Sequence, residues 1–153
     1  YIRADFMGLG PVAEGPSGQA AKLATAAPGA LVKPRVVNMA APMPLGLKGD
    51  VEKGGAFYLG NCATCHGASG DGRGPRAYFI NPKPRNFLHS ASRQEFNRVK
   101  LFEMISNGER GTEMPAWKQV LSPQEIANVA EFVFQRFIQA GADTGIETSK
   151  AAP

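Results

Sequence analysis

Two cysteines three positions apart, with a histidine directly after the second, constrain this chain more than any other feature. They stand in the run Cys62-Ala63-Thr64-Cys65-His66. The spacing is that of the segment through which a c-type haem is attached. Each thiol can add to one vinyl group of the porphyrin, and the imidazole that follows is delivered to one face of the iron as an axial ligand. A chain built this way is expected to fold around a flat prosthetic group that supplies much of its core. Cys62 and Cys65 are the only cysteines, so no pair is left for a structural disulfide. The competing uses of the pair, a dithiol redox centre or half of a zinc site, want partners that are missing: there is no second CxxC, and His89 is the only other imidazole.

With 153 residues, 43% hydrophobic and 20% charged, the chain suits one domain plus extra length. No apolar run approaches the roughly 18 residues that cross a bilayer. Residues 1–30 also lack the basic-then-apolar layout of a signal peptide. The chain therefore reads as a mature or trimmed soluble form without a transmembrane segment.

Composition divides the chain near residue 49. Residues 1–49 hold six of the twelve prolines and seven glycines with no sustained apolar period, the mark of an extended arm or linker with little to bury. Such an arm is either a flexible leader or a strap along this domain or a partner. Residues 50–140 form the expected haem domain, and the small, polar residues 141–153 a flexible tail.

Within the domain three main helices and no substantial sheet are expected. Asp50 is placed to cap a short helix that runs into the cysteine motif. Gly54 and Gly55 in it suggest a point where another helix crosses closely. Ser92-Arg93-Gln94-Glu95 has the form of a capping box opening a second helix through about Ser106, ended by Asn107-Gly108. Ser122-Pro123-Gln124-Glu125 opens a third, along which Ile126, Val129, Ala130, Val133, Phe134 and Phe137 draw one apolar stripe. The Gly- and Pro-rich stretch 67–91 reads as a loop that wraps the haem and orients His66.

The second face of the iron is either liganded or open, and this choice separates an electron carrier from a catalytic or gas-binding haem. Met114 is the favoured ligand: it sits in Gly111-Thr112-Glu113-Met114-Pro115-Ala116-Trp117, a loop between two helices stiffened by the proline. Met104, inside a helix, reads as core packing. Met7, Met39 and Met43 precede the domain, and His89 reads as a solvated loop residue. Trp117 either packs on the haem edge with its indole N–H toward a propionate or anchors the core. Arg85 and Asn86 are candidates for the propionates or plain exposed loop residues.

The order helix, CxxCH, glycine-rich loop, helix, Met-Pro loop and terminal helix resembles the small class I cytochromes c of bacteria, with one haem and Met/His ligation. The resemblance covers roughly residues 50–140. Within it, Gly70-Asp71-Gly72-Arg73-Gly74-Pro75 and Asn81-Pro82-Lys83-Pro84-Arg85-Asn86-Phe87 resemble loops of haem c subunits and domains of respiratory enzymes. The resemblance implies an all-α fold around one covalent haem c and its iron. It also implies a periplasmic location, and a role for the backbone carbonyl of Pro75 as acceptor of the proton of His66. Pro75 alternatively only shapes its turn.

The net charge is +4, and the domain contributes about half of it. Arg73, Arg76, Lys83, Arg85, Arg93, Arg98 and Lys100 lie close together in sequence; they either form a basic rim that steers an acidic redox partner or keep the loop soluble. Nothing points to nucleic acid or to a small-molecule substrate. The expected function is one-electron transfer between respiratory partners, by an electron carrier rather than an enzyme. The alternatives are an electron-entry haem c subunit of a larger respiratory oxidoreductase, docked through residues 1–49, and an open-site haem peroxidase or gas sensor.

Overall fold

The structure, a computed structural model, describes residues 37–141, and every regular element among them is helical. Helix α1, Val51–Phe57, starts where the Asp50 carboxylate accepts hydrogen bonds from the amides of Glu52 (3.0 Å) and Lys53 (3.1 Å). The chain then widens into a π-type turn at Tyr58–Cys62 and resumes as α2, Ala63–His66, which Gly67 ends at φ +79°. A π-type turn inserts one residue into the helical period and so changes the face presented on either side. Here it runs from Tyr58, 1% exposed, to the first cysteine of the motif.

Next come α3 (Ser90–Glu95), α4 (Arg98–Asn107) and α5 (Pro123–Val133); α5 runs on through a π-type turn at Phe134–Ile138. Helix α5 has the capping box expected of it: the Ser122 amide donates to the Glu125 carboxylate (2.8 Å), and the Glu125 amide to the Ser122 hydroxyl (3.3 Å). All six residues of its apolar stripe are buried.

The second expected helix differs from its sequence reading. It is two helices, α3 and α4, broken at Phe96, whose backbone is extended. Ser92 does not cap; it lies inside α3, and its hydroxyl donates to the Asn86 carbonyl (2.7 Å). The cap belongs to Asn97, whose side-chain oxygen accepts from the Lys100 amide (2.9 Å) while its amide nitrogen donates to the Asn38 carbonyl (2.9 Å). Burial explains the preference. Phe96 is 1% exposed, and the extended residue turns its ring into the core, a demand that local capping signals do not register.

Glycines let α1 and α5 approach closely. A Cβ on Gly54 would lie 1.9 Å from the Asn128 carbonyl oxygen, and one on Gly55 2.9 Å from the Phe132 ring, so the close crossing read from the sequence is present. Tyr58 packs against Phe132 and Phe137 at 5.2 and 5.4 Å between ring centroids.

Residues 38–49, which composition groups with the arm, lie against this helical frame. Met43 is buried in the core, with Met39 and Leu47 packed beside it. Lys48 accepts from the Gln124 side chain through its carbonyl (2.7 Å), and the Asp50 amide donates to the Asn128 side chain (2.9 Å). The rest of the arm, 1–36, and the tail, 142–153, lie outside the described residues.

Candidate haem site

The cysteine motif opens on a cavity of about 1170 Å³. Cys62, Cys65 and His66 line it from the end of the first helical run, Met104 from α4, and Met114 and Trp117 from the segment between α4 and α5. Val129 and Val133 add apolar wall from α5.

Backbone hydrogen bonds tie the loop after the motif back onto it. The amides of Gly72 and Gly74 donate to the carbonyls of His66 (2.8 Å) and Cys65 (3.0 Å), and the Phe87 amide donates to Gly70 (2.8 Å). Gly74 has no room for a side chain, since a Cβ there would lie 2.3 Å from two carbonyl oxygens of α2. Buried Tyr58 closes the turn by donating its hydroxyl to the Gly67 carbonyl (2.8 Å). Motif and loop are thereby held as one unit, as expected of a segment that orients His66.

The imidazole of His66 is oriented by two contacts. Its Nδ1 lies 3.1 Å from the Arg85 carbonyl oxygen, and its ring stacks on Phe87 at 4.9 Å. A carbonyl can only accept, so Nδ1 carries the proton and Nε2 keeps its lone pair for a metal. Burial lowers the imidazole's pKa against the opposing pull of the Arg85 carbonyl, which favours the neutral, ligating form.

The carbonyl facing Nδ1 is thus that of Arg85, whereas the family resemblance pointed to Pro75. Pro75 opens the short 3-10 turn Pro75–Phe79. The reason lies in the return of the loop: Gly72 sits under the backbone of Pro84 and Asn86, 2.8 and 3.3 Å from the position of a Cβ. That packing brings residue 85 over the ring. Nothing in local sequence marks a carbonyl nineteen residues away as the acceptor.

Met114 is held by its own loop. Its amide donates to the Thr112 hydroxyl (3.1 Å), which in turn donates to the Glu109 carbonyl (2.8 Å). Gly108, at φ +67°, leaves space for the Met114 carbonyl, 2.5 Å from where a Cβ would stand. Trp117 meets Phe57 edge to face at 5.2 Å and is only partly buried. Met104, assigned to core packing, also reaches the cavity wall.

Cys62 and Cys65 are not joined in a disulfide. Burial, reinforced by neighbouring Cys65, pushes Cys62 up to about 12. A flat, largely apolar group with one metal ion fits the donor set: two thiols and an imidazole on one run of helix, a thioether on a separate loop, and apolar walls between.

The clustered basic residues serve several different ends. Arg98 makes a two-pronged pair with Glu131 of α5 (2.6 and 2.9 Å). Arg93 donates to the Phe137 carbonyl (3.1 Å), and Lys100 and Arg85 share Glu95. The rim expected from sequence proximity therefore narrows to the stretch around Arg73, Arg76 and Lys83.

Comparison with known proteins agrees with this geometry. Cytochrome c6 of Chlorolobion braunii is 33% identical over 87 residues, 57% of this chain and 91% of that protein. The cbb3-type cytochrome c oxidase subunit CcoP of Rubrivivax gelatinosus is 34% identical over 80 residues, 52% of this chain and only 24% of that protein. The corresponding subunit FixP of Azorhizobium caulinodans is 32% identical over 82 residues, 54% of this chain and 26% of that protein. The chain thus spans about a quarter of these oxidase subunits and nearly all of the cytochrome c6. Residues 49–133 match the model of the family described as cytochrome c oxidase, cbb3-type, subunit III, and the chain belongs to this family of class I monohaem c-type cytochromes, whose prosthetic group is haem c.

Proposed function

We propose that this protein passes single electrons between respiratory redox partners through one haem c, attached by Cys62 and Cys65 and ligated by His66 and Met114. The observation that carries the reading is the convergence of these four side chains on one cavity, with the His66 Nδ1 proton engaged by Arg85 so that Nε2 is left to ligate. Bound there, haem c supplies a one-electron iron couple. The protein's residues do the rest. The two thiols would fix the position of the group, and the His66 imidazole and the Met114 thioether would hold its iron. The valines of α5 and the Trp117 face keep water from the cavity. A soft thioether favours the reduced metal and holds the potential high.

Met114→Ala tests the reading. Its loss is expected to lower the midpoint potential and to let carbon monoxide bind the reduced protein. An unchanged spectrum and potential would remove Met114 from the ligand set. Trp117 serves as a wall of the site, and Pro75 as the start of the turn that follows the motif.

A second reading is favoured by the likeness to CcoP and FixP, each by name a subunit of an oxidase. On this reading the protein is the electron-entry haem c subunit of a larger respiratory complex, docked through residues 1–49. Purification under mild conditions separates the two: a lone monomer supports a free carrier, and co-purifying metalloenzyme subunits support the complex. Both readings place the protein in the periplasm or at the membrane face. No helix among the described residues is long and apolar enough to cross a membrane.

A further inference from the structure

Tyr78 and Phe79 are 82% and 81% exposed, the largest exposures of big apolar side chains among the described residues. Scattered single apolar residues on a surface need no explanation. These two differ: they are adjacent, and their rings stack edge to face at 5.2 Å.

The turn that carries them is also fixed in place. Pro75 starts it, the Ala77 amide donates to the Gly74 carbonyl (2.9 Å), and the buried Ala77 side chain roots it. The Lys83 ammonium donates to the carbonyls of Ala77 (2.8 Å) and Tyr78 (3.0 Å) and lies 5.9 Å from the Tyr78 ring centroid. Aromatic rings already held in position lose little freedom on contact, which is what an anchor at an interface requires.

Along the turn itself the charge is of one sign, whereas Asp71, Glu95, Glu109 and Glu113 stand on the lining of the adjoining cavity. Residues 72–84 carry Arg73, Arg76 and Lys83 and no acid, and all three are exposed. The nearest carboxylate in sequence, Asp71, accepts from the Arg73 amide (2.9 Å). Carbonyl oxygens hold Lys83 without cancelling its charge. Position gives the patch a purpose, because Ala77, Tyr78 and Lys83 line the same cavity as Cys65 and His66. A protein seated on this turn sits at the mouth of the redox site.

We propose that the turn bearing Tyr78 and Phe79, with Arg73, Arg76 and Lys83 around it, docks a redox protein whose own surface is an apolar patch bordered by carboxylates. The proposal rests on the electron-transfer reading and names the chemistry of the partner. Two rings offer at most about 300–500 Å² to a contact, which matches a brief encounter rather than a permanent interface. The rings would give the contact its orientation and the three cations its association rate.

Stopped-flow kinetics on the haem-loaded protein tests this with two reduced blue-copper proteins as probes, one acidic and one basic. In each reaction one electron passes from copper(I) to ferric haem. The acidic probe is expected to react faster, with a rate that falls as salt is added. Phe79→Ser and Arg76→Glu, neither of which lines the cavity, are each expected to slow that reaction by about tenfold. The rate with ascorbate, the absorption spectrum and the midpoint potential should stay as in the parent protein. A basic probe that reacts as fast, or unchanged rates in both variants, would overturn the docking face. A parent protein without a reversible one-electron couple would instead overturn the function on which it rests.

Discussion

Individual positions in this protein tolerate change to very different degrees, and two glycines show why. Gly54 has the Asn128 carbonyl oxygen 1.9 Å from where a Cβ would stand, and that neighbour is backbone of a buried helix. Gly60 has nothing within 4 Å. Gly54→Ala is therefore expected to destabilise by about 1–3 kcal/mol through overpacking. Gly60→Ala is expected to stabilise by about 0.4–1 kcal/mol, because it restricts the unfolded chain without meeting anything in the folded one. Urea unfolding of the two variants checks both signs. The sequence already distinguishes Gly54 as a helical glycine in want of a reason. It does not say that Asn128, seventy-four positions away, supplies it. The motif residues behave in the opposite way: Cys62, Cys65 and His66 were legible from their spacing alone, whereas the partner of His66, the Arg85 carbonyl, offers no side-chain chemistry to read.

Among the elements, α5 was the most legible, since its capping box and its stripe of buried residues are local properties. The region of α3 and α4 was the least. Its Ser92 to Glu95 run has the composition of a cap, but burial of Phe96 and the double use of Asn97 move the helix start five residues on. The link between α4 and α5 is similarly a tertiary matter. Glu131 is buried, which raises its pKa, but the hydrogen bonds from Arg98 and Gln135 lower it further and leave it below the ordinary value. The folded protein then binds that proton less tightly than the unfolded chain does. Its contribution to stability is complete above the unfolded carboxylate value of about 4.3 and is lost as pH falls through the lower folded value. The stability advantage of the parent protein over Glu131→Gln should therefore shrink below about pH 4.3. Thermal unfolding of both across this range measures it, and an advantage that persists at low pH would contradict the assignment.

At the scale of the molecule, the haem domain borrows from the segment before it. Met43 is 5% exposed in the core, and the Asn38 and Lys48 carbonyls each accept a hydrogen bond from the helical frame. A chain beginning at Asp50 should accordingly unfold at lower denaturant than one beginning at Val37. Loss of the Met43 side chain alone accounts for about 2–5 kcal/mol. Equal midpoints for the two chains would show that this packing adds nothing. Composition could not reveal it, because a segment rich in proline and glycine reads as extended whether it lies in water or along a helix pair. By itself the sequence determined the prosthetic group, the all-helical class and the caps of α1 and α5, since each is written in spacing over a few residues. Only the tertiary structure decided which carbonyl orients His66, where the second helix breaks, which basic residues stay at the cavity mouth and how far the arm belongs to the domain. Those depend on burial and on contacts between positions tens of residues apart, and no local pattern carries them.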